Sequence, residues 1–226
     1  MAASTAEKIS RVPRSKDEAR SIYDRLSSWY DLLAGSETRF TAIGLQLLDL
    51  RAGEKVLEIG FGTGRNLLRI ATAVGTVGKV CGLDLSAGMR NVAARRLERA
   101  SLDGRAELRL GDAAELPYDS AGFDAVFMGF TLELFDTPEI PVVLNECRRV
   151  LRTGGRLAVV AMAKGRPGLL VPVYEWAHAR YPQYFDCRPI FAQPALENAR
   201  FHVVRAEKHK MWGLPVDVLL AVKSGE

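Results

Sequence analysis

Cysteine is scarce in this sequence, and its few cysteines lie far apart. Cys81, Cys147 and Cys187 form no C-x-x-C pair, so the chain lacks the pattern of a disulfide-rich domain and the spacing of a zinc or dithiol site. We therefore expect a reducing compartment and no metal site. Cys147 falls in an apolar stripe of helical spacing, which favours a core residue over a nucleophile.

Long apolar runs and a strong excess of one charge are also missing. No run reaches the roughly 18 residues that a transmembrane helix needs, and the first residues lack the apolar core of a secretory signal. The 31 basic and 27 acidic residues give a net charge of +4, which is too small to require a nucleic-acid partner. These features predict a cytoplasmic protein, with peripheral contact at a membrane surface left open.

The sequence does contain a regular alternation of strand-like and helix-like segments. Short runs of strand-forming residues are separated by stretches with apolar residues at helical spacing, as in sheets built by βαβ crossovers. The predicted strands are Lys55–Ile59, Lys79–Leu83, Ala106–Leu110, Phe123–Met128 and Arg156–Ala161, and the helices between them are 66–73, 87–100 and 139–151.

Further elements flank this alternation. Two helical stretches, 15–35 and 36–50, precede the first strand, and two alternating runs joined by a glycine turn, 201–213 and 214–223, follow the last. The whole pattern predicts a doubly wound, Rossmann-like α/β sheet of seven strands with helices on both faces. We expect it to be mostly parallel, with an antiparallel C-terminal hairpin strand.

A glycine-rich turn follows the first predicted strand. In VLEIGFGTGRNLLRI, Val56 to Ile70, glycine occupies positions 60, 62 and 64, so a ligand can approach the backbone without meeting Cβ atoms. The turn lacks the G-x-x-x-x-G-K-[S/T] pattern of nucleoside triphosphate sites. It also departs from the dinucleotide pattern G-x-G-x-x-G, because the sixth position counted from Gly60 is Arg65.

Acidic residues stand at the ends of three successive predicted strands. Glu58 would repel a pyrophosphate and attract a cation, and Asp84 stands where a carboxylate accepts hydrogen bonds from ribose hydroxyls. Asp112 could recognise an adenine edge. A ribose with a positive group and no phosphate describes S-adenosylmethionine. Structural roles remain open for each acid: a lysine ion pair for Glu58, a helix cap for Asp84 and a turn for Asp112.

Four segments carry a family resemblance. VLEIGFGTGRN, VCGLDLSAGM, GDAAELPYDSAGFDAVF and NECRRVLRTGGRLAVV resemble successive motifs of the class I S-adenosylmethionine-dependent methyltransferases. The most similar branch is that of the ubiquinone and menaquinone C-methyltransferases, with a type 11 methyltransferase domain. The resemblance implies S-adenosylmethionine as cofactor and S-adenosylhomocysteine as product, and it specifies the acceptor poorly.

The resemblance also implies a role for each motif. The glycine turn wraps the methionine portion of the cofactor, Asp84 holds the ribose, and Leu85 and Met89 enclose the adenine. The stretch 128–134 forms the floor near the reactive methyl group, and Tyr23 and Tyr30 stand on a closing N-terminal helix unless they serve only its packing. The implied cofactor-binding set is Tyr23, Glu58, Gly60, Phe61, Gly62, Gly64, Asn66, Asp84, Leu85, Met89, Asp112, Ala113, Gly129 and Phe130.

We expect one methyltransferase domain over 16–226, preceded by a flexible basic tail over 1–15. Within the domain, the predicted parts are an N-terminal helical cap (16–50), a cofactor-binding core (55–164), an acceptor-side cap (165–200) and a C-terminal hairpin (201–223).

The catalytic residues are unknown at this stage. The candidates are His178, Glu133 and Tyr23, whereas His202 and His209 fall on the predicted sixth strand. Glu133 is acidic where quinone C-methyltransferases often carry an arginine, which counts against a quinone. The acceptor-side cap is rich in aliphatic and aromatic residues, which either bury the sheet edge or bind a lipophilic acceptor.

These features predict methyl transfer to a small, lipophilic acceptor, as in quinone C-methylation. A phospholipid N-methyltransferase is the alternative, and a non-catalytic relative that binds the cofactor or a partner protein is the alternative of another class. RNA methylation is disfavoured, because no N-P-P-Y-like signature follows the fourth strand. The sequence gives no oligomeric state.

Overall fold

The computed structural model describes residues 15–27, 34–164 and 188–225. The predicted tail, Tyr30, His178 and most of the acceptor-side cap therefore lie outside the described residues.

The described elements alternate between strands and helices, as the sequence predicts. The α-helices are α1 (Lys16–Leu26), α2 (Thr38–Leu48), α3 (Arg65–Val74), α4 (Ala87–Arg99), α5 (Ile140–Val150) and α6 (Ala192–Asn198). The strands are β1 (Lys55–Ile59), β2 (Lys79–Asp84), β3 (Ala106–Leu110), β4 (Phe123–Gly129), β5 (Leu151–Met162), β6 (Phe201–Met211) and β7 (Leu214–Lys223), and short 3₁₀ turns cover Ala34–Glu37, Asp103–Arg105 and Leu132–Leu134.

The seven strands form one sheet in the order β3-β2-β1-β4-β5-β7-β6. The first five pair in parallel, and β7 pairs antiparallel with both β5 and β6. This arrangement confirms the predicted doubly wound sheet with a C-terminal hairpin. The chain order reverses between β1 and β4, so a crevice opens at the carboxyl ends of these two strands.

Two predicted boundaries were wrong. The first helix was expected to reach Gly35, but α1 ends at Leu26, and Gly35 lies in a 3₁₀ turn. At its end the Ser27 hydroxyl donates to the backbone carbonyl of Asp24, a local bond that competes with helix continuation. Strand β5 begins at Leu151 instead of Arg156 and carries a register shift opposite β4.

Apolar clusters fill both faces of the sheet. One lies between the strands and α5 and α6, and the other lies beneath α2, α3 and α4. Cys147 of α5 is fully buried in the first cluster, and burial raises the pKa of its thiol to about 12. The full burial of Cys147 confirms the prediction of a core residue, and the raised pKa makes a thiolate nucleophile still less available.

A largely buried ion pair joins α2 to the sheet. The Arg156 guanidinium donates to both carboxylate oxygens of Glu54, at 2.7 and 2.8 Å, and to the backbone carbonyl of Leu48, at 2.8 Å. The two side chains are only 15% and 10% exposed. Glu54 also accepts from the Arg51 amide, so one carboxylate fixes both the turn before β1 and the end of α2.

Removal of this guanidinium is expected to destabilise the fold. Arg156→Ala should lower the free energy of unfolding by about 3 kcal/mol, because it leaves the Glu54 carboxylate buried without its partner. Urea unfolding followed by circular dichroism measures the change. Arg152→Ala is the control, since its pair with Asp124 involves an arginine that is 47% exposed, and its loss should cost at most about 1 kcal/mol. Equal losses in the two variants would contradict the assignment.

Candidate active site

A cavity opens at the carboxyl ends of β1, β2 and β4, where the doubly wound sheet predicts one. Its volume of about 180 Å³ is many times the ~10–15 Å³ that one water molecule needs, so it admits a ligand of many atoms. The predicted cofactor residues that line it are Tyr23, Gly60, Phe61, Gly62, Asn66, Asp84, Leu85, Met89, Ala113, Gly129 and Phe130.

The glycine turn requires bare backbone at its first position. Gly60 has a φ of +70°, and a Cβ there would lie 2.4 Å from the side chain of Thr131. Gly62 also has a positive φ, but a Cβ there would meet no atom within 4 Å. The turn therefore approaches the segment after β4 closely at Gly60 and leaves open space at Gly62, beside the cavity.

Gly64, also predicted to contact the cofactor, lies outside the cavity wall and joins two helices. It is not among the cavity-lining residues, and it stands at the N-cap of α3 with a φ of +79°. A Cβ there would lie 2.8 Å from the Cβ of Ala93 in α4. This glycine allows α3 and α4 to pack closely, whereas the cavity is formed by the two glycines before it.

Asp84 links the glycine turn to the end of β2. One carboxylate oxygen accepts from the Gly62 amide and the other from the Ser86 amide, both at 2.9 Å. Burial raises the pKa of this carboxyl despite these bonds. Asp84 does not cap α4, because the N-cap is Ser86, whose hydroxyl accepts from the Met89 amide.

Glu58 lies behind the cavity and is 1% exposed. One of its oxygens accepts from the Asn66 side-chain amide at 3.3 Å, and the other has no hydrogen-bond partner among the described residues. Burial raises the pKa of Glu58 well above its usual value. Within the described ranges no lysine pairs with it, so it orients Asn66, which does line the cavity.

Asp112 also lies beside the cavity, where the prediction expected an adenine contact. Its carboxylate accepts from the Lys16 ammonium and from the Ala114 amide, so it shapes the turn after β3. Lys16 also lies 2.7 Å from Glu139. Burial alone would lower the pKa of the Lys16 ammonium, but hydrogen bonds to the two carboxylates raise it.

A second contact fixes α1 near its other end. The Asp24 carboxylate accepts from the Ser86 hydroxyl and from the Gly88 amide, and the bond from Ser86 does most to lower its pKa. Since Gly88 belongs to the first turn of α4, the negative charge also meets the positive end of that helix. Tyr23, the neighbour of Asp24, thereby lies in the cavity wall.

The catalytic candidates are separated by the fold. Glu133 is fully buried and accepts from the Met162 amide at 3.1 Å, but it does not line the cavity. Glu133 itself belongs to the 3₁₀ turn after β4. Its side chain therefore supports that turn from the side away from the cavity. His202 is exposed on β6, and His209 contacts the ring of Phe40. Of the described candidates, Tyr23 alone borders the cavity.

Two arginines that support the site were missed by sequence reasoning. Arg96 of α4 donates to the carbonyl and hydroxyl of Thr63, at 2.7 and 2.9 Å, which holds the glycine turn from outside. Arg188 is fully buried and donates to the Phe135 carbonyl and the Thr137 hydroxyl. Both contacts join segments that are distant in sequence, and no local pattern identifies them.

The donor set fits an adenosyl cofactor with a cationic centre. Backbone free of Cβ atoms borders the cavity, Asp84 offers carboxylate oxygens at its edge, and apolar side chains of Phe61, Leu85 and Met89 form its walls. The residue after the glycine turn is Arg65, not the lysine of a P-loop, so the turn lacks the pattern of a triphosphate site.

Comparisons with known proteins agree with this geometry. A family model for a methyltransferase domain matches residues 56–155. A demethylmenaquinone methyltransferase of Symbiobacterium thermophilum is 32% identical over 158 residues, which are 67% of this chain and 62% of that protein. One from Oceanobacillus iheyensis is 32% identical over 164 residues, covering 70% of this chain and 67% of that protein. The match thus spans about two thirds of the relatives' length.

Solved structures share the fold at lower identity. The [4+2]-cyclase SpnF superposes with a TM-score of 0.77 over 96% of this chain and all of that chain, at 20% identity. A SAM-dependent methyltransferase from Aquifex aeolicus gives a TM-score of 0.61 at 23% identity, covering 80% of this chain and 88% of that one. None of the helices in the described ranges has both the length and the apolar character of a membrane span.

The fold, the cavity and the sequence relatives give one assignment, which the resemblance of the motifs had predicted. The chain belongs to the class I S-adenosylmethionine-dependent methyltransferases, with S-adenosylmethionine as its cofactor, and is related to the demethylmenaquinone methyltransferases.

Proposed function

We propose that this protein transfers the methyl group of S-adenosylmethionine to carbon of a small, lipophilic, quinone-like acceptor. The observation that carries the proposal is the combination of two walls in one cavity. The glycine turn and Asp84 line the cofactor part of it, and Leu134 and Phe135, from the segment after β4, line the rest of the apolar wall. A flat apolar acceptor fits the second wall.

The cofactor half of the cavity is assigned to the residues around β1 and β2. The backbone at Gly60 and Gly62 would face the methionine portion, and Asp84 would accept from the ribose hydroxyls through lone pairs that the Gly62 and Ser86 amides leave available. Leu85 and Met89 would enclose the adenine. Asn66, held by Glu58, would present its polar side chain to the methionine end.

The same residues support the division of the chain into functional parts. We assign 16–50 to a helical cap, 55–164 to the cofactor-binding core, 165–200 to the acceptor side and 201–223 to the hairpin that completes the sheet. Tyr23 from the cap borders the cavity, so we propose it as a ligand contact.

The acidic character of Glu133 does not count against a quinone in this fold. Its side chain is fully buried, bonds to the Met162 amide and is absent from the cavity wall. The acceptor would meet Leu134 and Phe135 here, beside Asp136 and Glu139 of the same segment. A lipophilic acceptor partitions into bilayers, so we propose that a cytoplasmic protein meets it at a membrane surface.

The chemistry depends on alignment more than on a dedicated acid or base. When bound, S-adenosylmethionine supplies an electrophilic methyl group on its sulfonium. The cavity would align the acceptor carbon with that group and exclude water, which can contribute roughly 7–11 kcal/mol to lowering the barrier. The aromatic wall would hold the acceptor plane, and α1, fixed through Lys16 and Asp24, would close the cavity.

The proposal is tested by following a labelled methyl group. The purified chain is incubated with methyl-labelled S-adenosylmethionine and, in separate reactions, a reduced demethylmenaquinone analogue or phosphatidylethanolamine vesicles. We expect label in the quinone product alone, at a carbon position identified by NMR. Label in the phospholipid would support the N-methyltransferase instead, and cofactor binding without transfer to either would support a non-catalytic relative.

Loss of the Asp84 carboxylate is expected to weaken cofactor binding. Asp84→Ala should reduce the binding free energy of S-adenosylmethionine by about 1.5–3 kcal/mol, since hydrogen bonds to a charged group are lost. Isothermal titration calorimetry measures this directly. Asp103→Ala changes an exposed acid in a 3₁₀ turn and should leave the affinity unaltered. An unchanged affinity in a folded Asp84→Ala protein would remove Asp84 from the site.

Loss of Arg96, which does not border the cavity, is expected to weaken cofactor binding through the glycine turn. Arg96→Ala removes both hydrogen bonds to Thr63. Binding of the cofactor then has to order the glycine turn, which should reduce the binding free energy by about 1–2 kcal/mol. The KM for the cofactor should rise more than kcat falls, and Arg96→Lys should restore part of the loss. Arg95→Ala, at an exposed position of the same helix, is the control; an equal effect there would contradict a role for Thr63.

A further inference from the structure

The turn between β6 and β7 presents a large apolar side chain at an unfavourable backbone position. Met211 pairs with Leu214, which leaves a two-residue turn of Trp212 and Gly213 with φ values of +51° and +82°. This is the left-handed geometry of a type I′ turn, for which Asn-Gly is the preferred sequence. Trp212 is nevertheless there, and it is 68% exposed.

Three exposed cationic residues belong to the same hairpin or contact it. Along β6, residues 204, 206, 208 and 210 are exposed as the strand approaches the turn, and two of them are Lys208 and Lys210. Arg39, also exposed, donates to the backbone carbonyl of Lys210 at 2.6 Å. Among the described residues neither lysine forms an ion pair. We define Arg39, Lys208, Lys210 and Trp212 as the hairpin tip.

Two acidic residues of the β6–β7 hairpin, within the part of the chain that the structure describes, leave the tip surface uncompensated. Asp217 stands opposite Lys208 in the β6–β7 pairing but is only 9% exposed. Glu207 points to the other side of β6, where its carboxylate lies 3.7 Å from Arg205 and 3.4 Å from His209. The exposed surface of the tip is therefore cationic, with one large aromatic side chain.

The hairpin tip lies at the same end of the sheet as the cavity. Phe130 lines the cavity, the Phe40 ring packs against Phe130 at 6.4 Å, and the His209 ring of β6 packs against Phe40 at 5.8 Å. Pro215, just after the turn, accepts from the Ala163 amide at the end of β5. A surface that binds the tip would therefore be close to the side of the molecule on which the cavity opens.

We propose that the hairpin tip docks this protein on an anionic lipid bilayer. A tryptophan ring is favoured at the depth of the lipid head groups, and lysine and arginine beside it are attracted to anionic lipids. An interfacial role also accounts for a bulky residue kept at a positive φ, where strain has no benefit to folding. Docking rests on the proposed function only in that it would bring the protein to a lipophilic acceptor. Binding to the bilayer itself can be measured without acceptor or cofactor.

The experiment is co-sedimentation of the full chain with vesicles. One set contains equal parts of phosphatidylglycerol and phosphatidylcholine, and the other contains phosphatidylcholine alone. We expect binding to the anionic vesicles that weakens with salt. Trp212→Asn should lower the partition coefficient about tenfold, and Lys208→Ser with Lys210→Ser should lower it by a similar factor and reduce the salt dependence.

Two controls separate docking from folding. Asparagine tolerates a positive φ, so Trp212→Asn should leave Tm unchanged or raise it while binding falls. Val77→Asn removes another exposed apolar side chain, 80% exposed, just before β2 at the opposite end of the sheet, and should not alter binding.

Three results would overturn the proposal: no binding of the wild-type chain to anionic vesicles, binding that persists in Trp212→Asn, or a dimer in sedimentation velocity that Trp212→Asn abolishes. Because the vesicles hold no methyl acceptor, none of these results depends on whether the proposed methyl transfer is correct.

Discussion

The hydrogen bond from the Gly62 amide to the Asp84 carboxylate is the contact on which the site depends. It joins the turn after β1 to the end of β2, at the edge where the chain order of the sheet reverses. The same turn is confined on its other side, because a Cβ at Gly60 would collide with Thr131 after β4. Backbone from three strand ends is thus held within contact distance, and only a glycine turn can occupy the space between. The cavity lies beside the place where these three strand ends meet.

Around this fixed centre, polar contacts hold α1 near both of its ends. Lys16 bonds to Asp112 and Glu139 near one end of the helix, and Asp24 bonds to Ser86 and Gly88 near the other. Charged contacts of partly exposed groups are weaker than apolar burial and are screened by salt. These contacts of the helix that borders the cavity therefore depend on salt more than the continuous apolar clusters that join the strands and helices beneath it do.

Sequence reasoning recovered the elements whose signals are local. Strand-forming runs gave the β-strands to within a few residues, and the glycine turn and the acids at strand ends indicated the cofactor. Other contacts of the predicted site residues join distant segments and have no local signal. Gly64 serves helix packing against Ala93, Asp112 is bound by a lysine 96 positions away, and Glu133 faces the end of β5. Arg96 and Arg188 were missed for the same reason, since a lone arginine on a helix or loop has no pattern that identifies its partner.

This division explains why the cofactor is better determined than the acceptor. The cofactor half is formed by backbone conformation and strand order, which any chain with this fold and a bare glycine turn reproduces. In the proposed function the acceptor half is formed by side chains of the segment after β4, and Arg188 holds that segment through bonds to Phe135 and Thr137. A guanidinium buried to this extent has to be satisfied by hydrogen bonds, so the loop cannot shift without breaking them. Acceptor preference, under the proposed function, therefore depends on a few contacts between distant segments, which no local sequence pattern identifies.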